Sequence, residues 1–154
     1  MKIYRVTEST LIQAPAKKVY SILANYHDGH PHILPKKYFS ALEVEAGGIG
    51  AGTRVRFQMS ALGKTRTFRA AITELVPGRT LVETDLDSGV VTTFTVLPVE
   101  EDLGCHVTIN TELKARDGVF GFLEQSMTSM FLRRVYVQEL RLLAEFADGK
   151  SAEH

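Results

Sequence analysis

The sequence predicts an α+β fold in which a seven-stranded antiparallel β-sheet grips one long carboxy-terminal helix. Three observations lead to this prediction. Residues 3–13 and 39–113 contain apolar and polar side chains that alternate between short turns, as they do in strands. A short helical segment near Pro15 separates these two regions. From Asp117 to Asp148 the apolar residues follow helical periodicity, which corresponds to a helix of about 30 residues and roughly 45 Å.

The amino-terminal segment is predicted to be a strand, Ile3–Gln13, followed by a helix. Pro15 is suited to the first helical turn because its missing N–H would have no partner there. The helix has an apolar face made of Val19, Tyr20, Leu23 and Tyr26. Pro31 and Pro35 then restrict the chain to a loop with at most one short helical turn.

Six further strands are predicted between Phe39 and Leu113. Because short turns connect consecutive strands, they form an antiparallel meander. The glycine cluster Gly47–Gly52 lies between two strands and does not lead into a helix, which argues against a phosphate-binding loop. Strand parity assigns one group to the inner face of the sheet: Val55, Phe57, Met59, Phe68, Ala70, Ile72, Val82, Thr84 and Leu86. The same parity predicts that Glu83 and Asp85 face solvent.

The long helix is predicted to have Asp117 as its N-cap and Gly149 at the left-handed position after its end. Its inward arc is predicted to contain Phe120, Leu123, Met127, Phe131 and Val135, continued by Leu142. Phe122, Tyr136 and Leu140 lie off this arc and are expected to be partly exposed, as a dimer contact or as scattered surface residues. Residues 1–149 are predicted to form one domain, and residues 150–154 a disordered tail.

Composition excludes several classes of protein. The 154 residues include 18 basic and 18 acidic side chains, so no overall field attracts nucleic acid, although a local patch stays open. No apolar run approaches the roughly 20 residues that span a bilayer. The segment MKIYRVTEST lacks the apolar core of a signal peptide, and Cys105 has no second cysteine to pair with. The expected compartment is therefore the reducing cytoplasm.

Several short motifs resemble the START-like (SRPBCC) superfamily, in particular its polyketide cyclase/dehydrase and lipid-transport branch. They are residues 12–20 (IQAPAKKVY), 50–55 (GAGTRV) and 76–81 (VPGRTL), followed by the terminal helix. The resemblance implies a helix-grip fold, a curved seven-stranded sheet around the long helix with a cavity between them. It also implies lipids, sterols, polyketides or quinones as ligands, cyclase or dehydratase activity in some members, and chaperone activation in others. Relatives often carry a tryptophan after the first helix, whereas this sequence has none and places His30, His32 and Ile33 there.

The predicted ligand-binding residues combine the inner-face positions with the inward arc of the long helix. Arg66 has inner-face parity and is the candidate polar anchor for a carbonyl or carboxylate. The alternative is that most of these residues pack the hydrophobic core and bind no ligand. The full set is Tyr26, Val55, Phe57, Met59, Arg66, Phe68, Ala70, Ile72, Val82, Thr84, Phe94, Leu123, Met127 and Phe131.

No catalytic residue, metal site or cofactor is predicted. His27, His30 and His32 lie in a proline-broken loop, where solvated or loop-capping histidines are expected rather than metal ligands. The favoured function is binding of a hydrophobic small molecule by a monomer or homodimer. The first alternative is a cyclase or dehydratase acting on a polyketide-like substrate with Arg66, Tyr26 or a loop histidine. The second is a protein-interaction module.

Overall fold

The computed structural model describes residues 2–149, so the predicted tail at residues 150–154 lies outside the described residues. Two α-helices and seven strands are present in this part of the chain. The elements are β1 (Lys2–Ile12), α1 (Ala16–Ala24), β2 (Glu43–Ala46), β3 (Arg54–Ala61), β4 (Lys64–Val76), β5 (Thr80–Asp85), β6 (Val91–Val99), β7 (Gly104–Ala115) and α2 (Gly118–Ala147). Short 3₁₀ turns occur at His30–Ile33 and Glu100–Asp102.

The seven strands form one antiparallel sheet in the order β1-β7-β6-β5-β4-β3-β2. Each of β2 to β6 pairs with the next strand along the chain, as expected for a meander with short turns. The first strand instead pairs with the last along its whole length, from Lys2 opposite Ala115 to Ile12 opposite Cys105. The curved sheet and the long helix confirm the predicted α+β helix-grip fold.

The connection after α1 turns sharply and places the 3₁₀ turn against the helix. Asn25 ends α1, and its side-chain Oδ1 accepts hydrogen bonds from the backbone N–H groups of His27 and Asp28. Gly29 then passes so close to α1 that a Cβ atom there would lie 2.2 Å from the Ile22 carbonyl oxygen. Only glycine permits this approach, which brings the next residue, His30, under the sheet.

The carboxy-terminal half of α2 forms the helical side of the core. It packs on β1, β7, α1 and the 3₁₀ turn His30–Ile33. Its buried residues are Leu132, Val135, Tyr136, Glu139, Leu140, Leu143 and Ala147. The predicted exposure of Tyr136 and Leu140 is therefore wrong. Their arc is buried because α1 and the 3₁₀ turn cover a second side of the helix, in addition to the sheet.

The amino-terminal half of α2 does not bury the arc predicted for it. Phe120 is 85% exposed, and Leu123 and Met127 are about half exposed, whereas Phe131 is half-buried. One side of this half lies against β1, where the side chain of Thr128 is near the hydroxyl of Tyr4. Helical periodicity identifies apolar residues that share a side, but it does not report whether anything lies opposite them.

The predicted orientation of β5 is also wrong. In the sheet, Ile72 lies opposite Glu83 and Glu74 lies opposite Leu81, and directly opposed residues share one face. Ile72 and Leu81 are both buried, so Leu81, Glu83 and Asp85 point inward. Val82 and Thr84 consequently lie on the outer face. The error came from placing apolar residues inside, when this strand directs two carboxyl groups into the interior.

Candidate functional site

A buried histidine, His30, packs between α1 and the inner face of the sheet. The Nδ1 atom of His30 is 2.8 Å from the carbonyl oxygen of Leu23, and its Nε2 atom is 3.4 Å from Oε2 of Glu83. The ring stacks on Tyr26 with a centroid distance of 4.4 Å and meets the edge of Phe94 at 5.4 Å. The prediction of a solvated or loop-capping His30 is wrong, because Gly29 lets the chain carry it into the core.

The hydrogen bonds of His30 constrain where its protons lie. A carbonyl oxygen only accepts, so Nδ1 donates to Leu23 and a neutral ring presents Nε2 as an acceptor. Nε2 faces the carboxyl group of Glu83, at a distance that allows an ion pair when the ring is protonated.

Tyr26 donates a hydrogen bond to the same carboxyl group. Its hydroxyl donates to Oε2 of Glu83 at 2.7 Å. Burial, followed by the negative charge of Glu83, raises the pKa of Tyr26 well above its ordinary value. Tyr26 therefore stays protonated and acts as a fixed hydrogen-bond donor.

Glu139 brings a second carboxyl group to this region from α2. It is 3% exposed, and its Oε2 atom has no hydrogen-bond partner among residues 2–149. Burial, with a further contribution from Glu83, raises the pKa of Glu139 well above its ordinary value. Burial therefore favours the neutral form of this carboxyl group, and that form can donate a hydrogen bond.

A short chain of hydroxyl groups extends the site toward β7. Glu83, Thr92 and Thr111 occupy one row across β5, β6 and β7. The hydroxyls of Thr92 and Thr111 are 2.8 Å apart, and Thr111 also hydrogen-bonds the hydroxyl of Tyr136. Burial raises the pKa of Tyr136, so this hydroxyl too remains protonated. We call the whole set the inner polar cluster: Tyr26, His30, Glu83, Thr92, Thr111, Tyr136 and Glu139.

Asp85 lies between the cluster and the outer end of the sheet. Its Oδ2 atom accepts hydrogen bonds from the backbone and hydroxyl of Ser88, at 2.8 and 2.6 Å. Its Oδ1 atom is buried and finds no partner within the part of the chain that the structure describes. Asp85 therefore presents one unused acceptor toward the interior.

Five half-buried aromatic rings lie in two groups toward the other end of the sheet from this cluster. Phe57 stacks on Phe68 at 5.6 Å and contacts Phe39 at 5.8 Å, while Tyr38 meets the edge of Phe131 at 5.2 Å. All five rings are half-buried. Beside them, an open cleft of about 410 Å³ is lined by Lys37, Tyr38, residues 60–65 and Phe131. We call these five rings the aromatic groove and the cleft its mouth.

The structure divides the predicted ligand-binding residues into four groups. Tyr26, Val55, Ala70, Ile72 and Phe94 are buried, and Tyr26 belongs to the inner polar cluster. Phe57, Met59, Phe68 and Phe131 are half-buried, and all but Met59 are rings of the groove. Val82 and Thr84 lie on the outer face, away from both features. Arg66, Leu123 and Met127 are exposed, with Arg66 opposite Met59 on the inner face near the mouth.

Sequence reasoning missed His30, Glu83 and Glu139. For Glu139 a signal was available, because it lies four residues from both Val135 and Leu143 on one side of the helix. Glu83 shares its parity with Leu81, a second signal that the alternation of Val82 and Thr84 obscured. His30 depends on the close approach of Gly29, which local sequence does not reveal.

Neither a metal centre nor a membrane span is found in the described chain. Residues 2–149 contain no group of three or more His, Cys, Asp or Glu side chains arranged to hold a metal ion. Neither α1 nor α2 combines the length and apolar content needed to cross a bilayer.

Comparison with known proteins identifies relatives across nearly the whole chain. Residues 4–147 match the family model described as polyketide cyclase/dehydrase and lipid transport. Among proteins with curated functions, none matches this chain. Of the solved structures, the KanY protein is similar with a TM-score of 0.83 and 27% identity, over 96% of this chain and 99% of that one.

Two more distant structures share the fold. An aromatase/cyclase from a Streptomyces species has a TM-score of 0.78 and 16% identity, over 96% of this chain and 94% of its own. A START superfamily protein from Mycobacterium smegmatis has a TM-score of 0.72 and 12% identity, over 94% of this chain and 97% of its own. At these identities the likeness is one of fold.

Proposed function

The chain belongs to the polyketide cyclase/dehydrase and lipid transport family, and from this premise we propose that it binds a hydrophobic small molecule such as a lipid, polyketide or quinone. The site is the space between the sheet and the amino-terminal half of α2. The observation that carries the proposal is the aromatic groove, whose five rings are half-buried beside an open cleft. Apolar surface left in water favours a ligand by about 25 cal/mol per Å² covered.

The order of residues along the sheet supports a ligand of a particular length with its polar group at one end. From Phe68 at the groove to Ile72 beside Glu83 is four residues, or about 13 Å of strand. Over this distance the inner face of the sheet carries Val55, Ala70 and Ile72, whose side chains are buried. The inner end presents the unused Asp85 oxygen and the inner polar cluster. A suitable ligand thus has an elongated apolar body and one hydrogen-bonding group at its inner end.

Native mass spectrometry of the freshly purified protein tests this directly, followed by titration with a fatty acid and with an anthraquinone. We expect a bound apolar molecule or saturable binding of one probe. A Phe57→Ser variant should weaken that binding at least tenfold, because it removes the ring between Phe39 and Phe68. Leu75→Ser is the matched control, since Leu75 is 75% exposed near the opposite end of β4. Equal binding by both variants would place the ligand elsewhere.

The second candidate function is a cyclase or dehydratase acting on a polyketide-like substrate, and the inner polar cluster favours it. Ring closure between two ketones needs a base that removes a proton from a carbon and an acid that protonates the attacked carbonyl oxygen. Glu83 with His30 can accept the first proton, and Glu139, whose protonated form is favoured by burial, can donate the second. In the loss of water that follows, ionised Glu139 takes the remaining proton from the same carbon, and the proton held by Glu83 and His30 leaves with the hydroxyl group as water. The carbon–carbon double bond forms, and both groups return to their starting protonation states.

A linear poly-β-ketothioester mimic tests this candidate through the absorbance of its aromatic product. Glu83→Gln should lower kcat about 100-fold or more at similar KM, within the usual range for a general base. Glu43→Gln on exposed β2 is the control, and thermal unfolding checks that each variant folds. Full activity of Glu83→Gln, or no turnover by the unaltered protein, would leave binding as the function.

Compartment and assembly stay predictions from the sequence. The single buried Cys105 favours a reducing compartment such as the cytoplasm. Whether the protein is a monomer or a homodimer, and whether it avoids nucleic acid, are open to sedimentation and to binding assays.

A further inference from the structure

The first half of α2 exposes an unusual amount of apolar surface. We define the apolar tip as Val119, Phe120, Phe122, Leu123, Met127 and Met130, which are between 51% and 85% exposed. At 100° per residue these side chains cover one arc of about 160°. Single exposed apolar residues are common, whereas a contiguous set of this size marks a surface that contacts something else.

The apolar tip adjoins the mouth of the groove. Phe131 lines the mouth, Met127 lies one turn before it, and Leu123 lies one turn further toward the start of α2. Across the mouth, the turn between β3 and β4 exposes Leu62 to 62%. Apolar side chains therefore project on both sides of the opening through which a ligand would enter.

Leu62 is notable for its backbone as well as its exposure. Its φ is +52°, in the left-handed region where two-residue hairpin turns normally carry Asn, Asp or Gly. A leucine here is unfavourable both for the backbone and for solvation. Such an outlier points to a role for the side chain outside the folded chain itself.

Basic side chains surround the same opening. Lys37 and Lys64 line the mouth, with Lys36 and Arg66 next to them in the chain, and all are exposed. None of the ion pairs between described residues includes these cations. Because the whole protein has a formal net charge of zero, this concentration of positive charge is local.

We propose that the mouth of the groove docks on the surface of an anionic lipid bilayer and exchanges its ligand there. This proposal rests on the proposed binding function. Apolar residues on a helix and a turn enter the headgroup region, while flanking lysines contact anionic lipids. Docking also lets a poorly soluble ligand pass into the groove without crossing water.

A second copy of the chain fits this surface less well. A two-fold dimer buries the same patch from both copies, so Lys37 and Lys64 of each would approach those of the other. Like charges brought together without counter-charges oppose association. An anionic bilayer instead complements both the apolar tip and the cations.

Flotation with vesicles of phosphatidylcholine containing 30% phosphatidylserine tests the proposal. We expect binding that falls at least tenfold on pure phosphatidylcholine or at high salt. The double variant Phe120→Ser/Phe122→Ser should bind the phosphatidylserine vesicles at least tenfold more weakly. The same loss is expected for Lys37→Gln/Lys64→Gln. The control Leu75→Ser/Leu103→Ser removes exposed leucines away from the mouth and should bind as the unaltered protein does.

The outcomes separate this proposal from the one on which it rests. Phe120→Ser/Phe122→Ser should keep its affinity for a water-soluble apolar probe. Phe57→Ser should instead bind the probe more weakly and bind the vesicles as the unaltered protein does. Absence of vesicle binding by the unaltered protein overturns the docking proposal alone. A concentration-dependent dimer that Phe120→Ser/Phe122→Ser abolishes, without vesicle binding, identifies a second copy as the occupant instead.

Discussion

The two halves of α2 differ in surroundings far more than in composition. Both are rich in large apolar residues, yet Leu143 is 1% exposed in the second half and Phe120 is 85% exposed in the first. The second half is enclosed by the sheet, α1 and the 3₁₀ turn, where His32 stacks on Phe146 at 4.5 Å. One helix therefore has two roles: its second half stabilises the fold, and its first half is left for contacts outside the folded chain.

The largest expected effect is a contrast in stability between these halves. Leu143→Ala should lower the free energy of unfolding by about 3 kcal/mol, because it opens a cavity in the packed core. Phe120→Ala should change it by less than about 0.5 kcal/mol, since the ring is largely in water. Urea denaturation followed by circular dichroism measures both. Similar losses for the two variants would mean that the first half of α2 is packed in solution.

An intermediate effect on the free energy of unfolding is expected from Glu139, in the buried second half of α2. This effect depends on pH. Burial holds the pKa of Glu139 above its ordinary value of 4.5 in the folded state. The favourable contribution of the protonated group is thus complete below that ordinary value and is lost as pH rises toward the folded pKa. Glu139→Gln should be no more stable than the unaltered protein at pH 4. Its relative stability should then grow by up to about 1.4 kcal/mol per pH unit over that interval.

The same denaturation series at several pH values checks this prediction. Glu43→Gln is the matched control, because Glu43 is exposed on β2 and should show no such trend. A constant difference between Glu139→Gln and the unaltered protein across pH would show that Glu139 is ionised in the fold.

The smallest expected effect is at Leu62, beside the mouth of the groove. Here a substitution should raise the free energy of unfolding instead of lowering it. Leu62→Gly should raise the free energy of unfolding by about 0.5–1 kcal/mol, because glycine adopts a positive φ without steric cost. It should also weaken vesicle binding, since the exposed leucine is lost. Chemical denaturation measures the change in stability, and flotation of the same sample measures the change in vesicle binding. A loss of stability would show that Leu62 packs within the fold.

Much of the fold was predictable from local signals. Alternation and turn residues predicted seven antiparallel strands, and Pro15 and Asp117 marked the starts of both helices. Of the site, the parity of β3 and β4 correctly placed Phe57, Phe68, Ala70 and Ile72 on the inner face. Parity failed at β5, because alternation alone cannot say which of two faces is inside when polar side chains occupy the inner one.

By itself, the sequence determined the order of strands and helices, the α+β class and three of the five groove rings, Phe57, Phe68 and Phe131. Those features follow from periodicity and turn chemistry, which act over a few neighbouring residues. Only the tertiary structure decided that His30 and Glu83 meet, that Glu139 is buried beside them, and that half of α2 stays uncovered. These features depend on which distant segments pack together, because burial is a property of the assembled neighbours and not of the residue type.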